Sequence, residues 1–261
     1  MSVASSSSGY NFYVAPALVN IKLKLDSELL DAHSVLIAHC SLLIAQHSAL
    51  VLMLSTHVVI IRHGQSQGNA EGRFGGHTDT PLSARGRKQA EATARALASE
   101  KFDAIYSSDL PRAIETATPL AKRTGVPLEA TEALRERSVG VMEGLTFEEA
   151  AEQHPEQYQA LLHRDFEHVL AGGESYRQTL DRASRKLDEA IEQHQGGRIV
   201  MFAHTGTICI LILHLMGALD APDLKPVWIA TSNCGIARFD LRADGFVRVL
   251  NINDTRHLMG L

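Results

Sequence analysis

The chain has 261 residues, 45% of them hydrophobic and 21% charged, which fits a soluble globular protein and excludes a disordered or collagen-like one. Lys+Arg 25 against Asp+Glu 30 gives a net charge of −5, so no broad basic surface for nucleic acid is expected. Cys40, Cys209 and Cys234 are odd in number and form no CxxC pair; small buried hydrophobes in a reducing, cytoplasmic compartment are expected rather than a disulfide framework.

Residues 1–55 read as an extension outside the folded domain, which takes 56–261. Ser5 to Ser8 is a serine run, and Val35 to Leu54 is almost wholly apolar. Two polar clusters, His39-Cys40-Ser41 and Gln46-His47-Ser48, lie seven apart on one helical face. A membrane helix needs about 20 apolar residues. These six polar residues, and the offset of Lys22 and Lys24 by Asp26, Glu28 and Asp31, count against one. A signal peptide would lie closer to Met1 and end in small residues. The extension is expected to be poorly ordered or a loosely packed helix, with Met53 a natural alternative start, and membrane attachment is not expected.

From residue 57 onward, short apolar runs alternate with helical patterns. His57–Ile61 is a β-branched strand that ends at Arg62-His63-Gly64. Ser83 caps a helix to about Ser99, and Ala104–Ser107 is a strand. Asp109 is the expected N-cap, with Pro111 at N1, of a helix that Gly125 closes. Pro127–Ala130 is a candidate strand, and Thr146 with Glu149 forms a capping box. Pro155–Leu170 reads as helix, Gly172-Gly173 as a break and Glu174–His194 as a long amphipathic helix. Ile199–Ala203 is a second apolar strand ending at a histidine, His204, before the buried helix Thr205–Met216. Cys234–Leu241 and Phe246–Ile252 are strands paired about Ala243-Asp244-Gly245. This alternation predicts an α/β fold of three layers, α/β/α, with a mostly parallel central sheet. Ligands of such sheets bind beyond the carboxyl ends of strands, which is where Arg62, His63 and His204 fall.

A histidine between an arginine and a glycine suits nucleophilic attack on phosphorus. The imidazole must be neutral and in one tautomer, and the Gly64 carbonyl offers an acceptor for its other ring proton. Arg62 supplies a planar fork for phosphoryl oxygens. Arg112, at the start of a helix after a strand, reads as a second clamp. Glu136 is one of many glutamates but suits a general acid, and His204 suits hydrogen-bond donation to a phosphoryl oxygen. No HExxH or HxH spacing is present among 13 histidines, so no metal or other cofactor is expected.

Taken in order, the pieces resemble the histidine phosphatase superfamily, the phosphoglycerate mutase-like family, over about residues 57–257. They are Arg62-His63-Gly64-Gln65-Ser66 with Asn69, Asp79-Thr80-Pro81-Leu82-Ser83 with Gly86, and Ser108-Asp109-Leu110 with Arg112-Ala113 and Glu115-Thr116. Then follow Leu134 and Glu136 with Gly140 and Glu143-Gly144, Gly172-Gly173-Glu174-Ser175, and His204. The resemblance implies a phosphoglycerate mutase-like fold with a small helical cap at about 142–176. It implies that His63 is the phosphorylated nucleophile and Glu136 the proton donor, with Arg62, Arg112 and His204 on the phosphoryl group. Asn69, Gln65, Ser66 and Thr205 are taken as supporting substrate contacts, and Phe74, His77, Met142, Leu145 and Tyr176 as cleft lining.

Two departures bear on activity. The family often has Ser-His-Gly where this chain has Ala203-His204-Thr205. Cofactor-dependent mutases usually carry Glu-Arg-His-Tyr-Gly where this chain has Glu136-Arg137-Ser138-Val139-Gly140. The expected activity is therefore metal-independent hydrolysis of a small phosphorylated metabolite. The alternatives are a cofactor-dependent phosphoglycerate mutase and a non-catalytic phospho-ligand binding module. Oligomeric state is left open, a homodimer among the options.

Overall fold

Val58 to Ile61 form the centre of β1 (Ser55–Arg62), and all four side chains are buried, because a strand covered on both faces has no solvent side. The computed structural model describes residues 55–220 and 227–261. Of the extension expected at residues 1–55, residues 1–54, including Met53 as a start, lie outside the described residues, and Ser55 opens β1.

After β1 come the short helix α1 (Gln67–Ala70), α2 (Ala84–Leu97), β2 (Ala104–Ser108), α3 (Pro111–Thr124) and β3 (Leu128–Thr131). Helices α4 (Phe147–Gln153), α5 (Pro155–His163) and α6 (Tyr176–Gln193) follow. The chain then runs through β4 (Arg198–Ala203), α7 (Thr205–Leu215), β5 (Ile236–Arg242) and β6 (Val247–Asp254). The six strands lie in the order β3-β2-β4-β1-β5-β6. β3, β2, β4 and β1 are parallel, and β5 and β6 are antiparallel additions, so the mostly parallel sheet is as expected.

Alternate residues of β1 feed different cores. Val59 and Ile61 pack with Ala94 and Leu97 of α2 and Ala117 and Leu120 of α3. Val58 and Ile60 pack with Ala183 and Leu187 of α6 and Ile208 and Leu211 of α7. This is the three-layer arrangement. Helix α2, between β1 and β2, covers one face and α7, after β4, covers the other, so the chain diverges where β1 and β4 lie side by side. Such a divergence opens a crevice at the strand ends. Register makes the meeting specific: Arg62 pairs with Ala203, so His63 and His204 are each one residue beyond a matched pair.

A smaller cluster of Val139, Met142, Ala150 and Leu170 packs with Phe74, Leu145, Tyr158 and Leu161 and ties α4 and α5 to the loop after α1. Its helices depart from expectation in one place. The helix starting at Pro155 ends at His163 rather than Leu170, because Arg164 turns left-handed with φ 53°. The N-cap of α3 is Leu110, not Asp109; the Asp109 carboxylate instead accepts two hydrogen bonds from Arg135, at 2.7 and 2.5 Å. The segment just before α3 is thereby tied to the loop that carries Glu136. Caps at Ser83, Thr146 and Ser175 set the starts of α2, α4 and α6.

Candidate active site

His63 is 4% exposed and leaves β1 with its amide donating to Ala203 O at 3.0 Å. Its Nδ1 lies 2.6 Å from Gly64 O. A carbonyl only accepts, so Nδ1 carries the proton and Nε2 keeps its lone pair. Burial, then Arg112, then Arg62 hold the imidazole pKa well below its usual value, so the ring is neutral at pH 7. The glycine is required by close approach: a Cβ on Gly64 would sit 2.7 Å from Gly86 O.

The ring of His204 lies 4.9 Å from that of His63, centroid to centroid. Its Nδ1 accepts from Arg112 Nε at 3.2 Å, which leaves the proton of the neutral ring on Nε2. That Nε2 is buried and unpartnered among the described residues. Burial, then Arg112 and His63, keep the pKa of His204 well below the ordinary range as well. The two histidines thus have opposite tautomers, one presenting a lone pair and the other an N–H. Arg112 is 3% exposed, and its Nη1 and Nη2 each donate at 2.7 Å to Thr78 O and Gly76 O. These bonds use three of the five guanidinium N–H groups and leave two for a phosphoryl oxygen. Burial lowers the Arg112 pKa to about 10, so it stays charged. Arg62 donates from Nη1 to Thr231 O at 2.5 Å, and its buried Nε has no partner among the described residues.

Glu136 sits at the amino end of α7. Its Oε2 accepts from Gly206 N at 3.0 Å, and Oε1 from Thr207 N at 3.1 Å and Arg137 N at 2.9 Å. The carboxylate therefore serves a helix whose own N-cap, His204, makes no side-chain cap bond. Gly206 admits it: a Cβ there would lie 2.5 Å from Glu136 Oε1. The backbone of this loop is gripped by Arg182 of α6, which donates to Ala133 O, Arg135 O and Glu136 O, each at 2.8 Å, and pairs with Glu174. His77 joins them through Glu136 O at 2.8 Å.

His63, Arg62, Ser66, Asn69, Arg112, Glu136 and Thr205 line one cleft of about 580 Å³, with His204 beside His63. Asn69 Oδ1 accepts from Ser66 N at 3.3 Å and from Asn233 Nδ2 at 3.2 Å, which turns its own amide nitrogen free of both. Gln65 is not brought into the cleft. Its Oε1 accepts from Ser83 Oγ at 2.8 Å and its N donates to Gln89, so it fixes the start of α2 instead. Of the expected lining, Phe74 and Tyr176 reach the cleft, whereas Met142 and Leu145 lie in the cluster behind it and His77 faces the Glu136 backbone. Arg137, Tyr158, Arg164 and Trp228 also line the cleft and were not singled out from sequence. Arg137 had a signal, being next to Glu136; Arg164 and Trp228 are 64 residues apart and had none.

The sequence matches the histidine phosphatase superfamily (branch 1) over residues 58–255, and the chain belongs to that family. It is 38% identical over 174 residues to a metal-independent phosphoserine phosphatase of Arabidopsis thaliana, covering 65% of this chain and 72% of that protein. A 2,3-bisphosphoglycerate-dependent phosphoglycerate mutase of Cytophaga hutchinsonii is 32% identical over 191 residues, 72% of this chain and 89% of the mutase. A solved structure of mycobacterial glucosyl-3-phosphoglycerate phosphatase superposes with a TM-score of 0.69 at 29% identity, over 76% of this chain and 99% of that one. The expected phosphoglycerate mutase-like fold is thereby borne out.

Proposed function

We propose that the chain is a metal-independent phosphomonoester hydrolase of small phosphorylated metabolites that passes the phosphoryl group through Nε2 of His63. The observation that carries this reading is the bond from His63 Nδ1 to Gly64 O at 2.6 Å, which leaves a neutral nucleophile between two arginines. The Nε2 lone pair attacks phosphorus, the ester P–O bond breaks, and Glu136 gives its proton to the departing oxygen. Water then attacks phosphorus, Glu136 takes its proton, and the P–Nε2 bond breaks to release phosphate. Arg62, Arg112 and the Nε2–H of His204 hold the phosphoryl oxygens in both steps. Helices α4 and α5 serve as the cap.

A mutase must keep water from its phosphoenzyme until the product rebinds. The absence of His-Tyr after Glu136-Arg137 favours the hydrolase. Three cysteines without CxxC spacing support a cytoplasmic setting. Among the described residues, no helix is long and apolar enough to cross a membrane. The test is to follow p-nitrophenyl phosphate and 3-phosphoglycerate in excess EDTA. Hydrolysis that persists and exceeds conversion to 2-phosphoglycerate is expected. Faster interconversion stimulated by 2,3-bisphosphoglycerate would establish the mutase, and no turnover at all would leave a binding module.

A further inference from the structure

Two arginines of the cleft have no role in the chemistry above. Arg137 is 4% exposed, and its guanidinium lies 3.8 Å over the ring of Tyr176. Its Nη2 is buried without a hydrogen-bond partner among the described residues. Arg164 is exposed at the left-handed end of α5, and its guanidinium lies 4.0 Å over the ring of Trp228. The two aromatic rings touch edge to face, 6.1 Å apart. Each arginine thus sits over the ring of one member of an aromatic pair, and all four residues line the cleft that holds His63 and Glu136. Neither guanidinium forms an ion pair among the described residues, although ten other arginines do.

Position separates this pair from the phosphoryl clamp. Arg164, Tyr176 and Trp228 also wall an adjoining recess of about 290 Å³ that neither His63 nor Arg62 reaches. The aromatic pair is therefore the boundary of the cleft away from the nucleophile. A guanidinium held over a ring face keeps N–H groups at its own edge, ready for the two oxygens of a planar or tetrahedral anion. Burying one such fork with a free N–H is costly unless a ligand completes it.

We propose that Arg137 and Arg164, backed by Tyr176 and Trp228, form a second anion subsite, so that the preferred substrate is a phosphomonoester bearing a further carboxylate or phosphate distant from the scissile ester. This rests on the phosphatase reading and adds to it the class of substrate. Burial lowers the pKa of Arg137; Tyr176, Glu136 and Glu174 oppose that, and Arg164 adds a smaller lowering, so a bound anion at the two guanidiniums favours their charged forms.

The test compares kcat/KM within two matched pairs. 3-Phosphoglycerate and glycerol 3-phosphate differ by a carboxylate; fructose 1,6-bisphosphate and fructose 6-phosphate differ by a phosphate. The wild type is expected to favour the doubly anionic member of at least one pair by about tenfold or more, the worth of a charge-assisted hydrogen bond. Which pair responds identifies the anion. Arg164→Asn should cut that preference at least ~5-fold, through KM; asparagine tolerates the left-handed backbone at this exposed position. Arg137→Met, which keeps bulk over Tyr176, should do the same if its melting curve shows it folded. Preferences within twofold in both pairs, or a preference that survives Arg164→Asn, would overturn the subsite. Wild-type turnover of p-nitrophenyl phosphate without any such preference sinks the subsite alone, whereas no turnover sinks the phosphatase reading with it.

Discussion

Glu136→Gln separates the capping job of one side chain from the acid role proposed for it. As a cap, the carboxylate accepts the N–H groups of Gly206 and Thr207 at the start of α7 and that of Arg137. Glutamine keeps one carbonyl oxygen for Thr207 and Arg137 but turns an NH₂ toward Gly206 N–H, so one donor loses its acceptor. Losing a cap costs about 0.5–2 kcal/mol, which in a domain of this size lowers Tm by roughly 1–8 °C. In the proposed mechanism Glu136 also protonates the leaving oxygen, and loss of that proton transfer is worth roughly 10²–10⁴-fold. The acid effect depends on the leaving group while the cap effect does not. Hydrolysis of an alkyl phosphate such as glycerol 3-phosphate should fall by that factor, and hydrolysis of p-nitrophenyl phosphate, whose phenolate leaves unaided, far less. Single-turnover rates for both substrates, beside a melting curve, read the two jobs independently. Equal losses for the two substrates would mean that Glu136 only holds α7 and its loop, and the acid assignment would be wrong.

Burial and two arginines depress the His63 pKa, so between its folded value and the ~6.5 of a free imidazole only the unfolded chain takes up the proton. Its contribution to stability is therefore complete above about pH 6.5 and is lost as pH falls through the folded value; ring NMR signals of His63 should stay at their neutral positions from pH 7.5 to 5.5, and titration near 6.5 would contradict the buried tautomer. Arg182→Met removes three donors from the Glu136 loop and leaves Glu174 without its arginine partner. It should cost about 2–4 kcal/mol in urea unfolding and lower kcat; unchanged stability would show the grip to be idle. Deleting residues 1–52 should leave Tm and kcat as they are, and a fall in Tm beyond ~5 °C would mean the segment contributes ~1–2 kcal/mol or more to the domain.

Much of the centre was legible because local rules and global topology agree there. The β-branched run before Arg62 and the apolar run before His204 announce buried parallel strands, and strand ends are where such sheets bind ligands. Even the Gly64 acceptor for the His63 ring proton followed from the neighbouring residue alone. Gln65 shows the limit: it stands two residues from His63, yet the capping demand of Ser83 draws it away from the cleft. Pro155–Leu170 was read too long because the left-handed turn at Arg164 falls on a residue that favours helices. The Arg182 grip and the Arg164–Trp228 stack join positions far apart in the chain, and nothing local at either end signals the partner.

The central claim is a covalent phosphoryl group on His63. Rapid quenching of the wild type with a ³²P-labelled substrate, followed by peptide mapping, tests it directly. The account predicts a label that is labile in acid, stable in base, located on His63 and absent from His63→Ala. Label on His204 or on a serine, or turnover by His63→Ala at the wild-type rate, would contradict it.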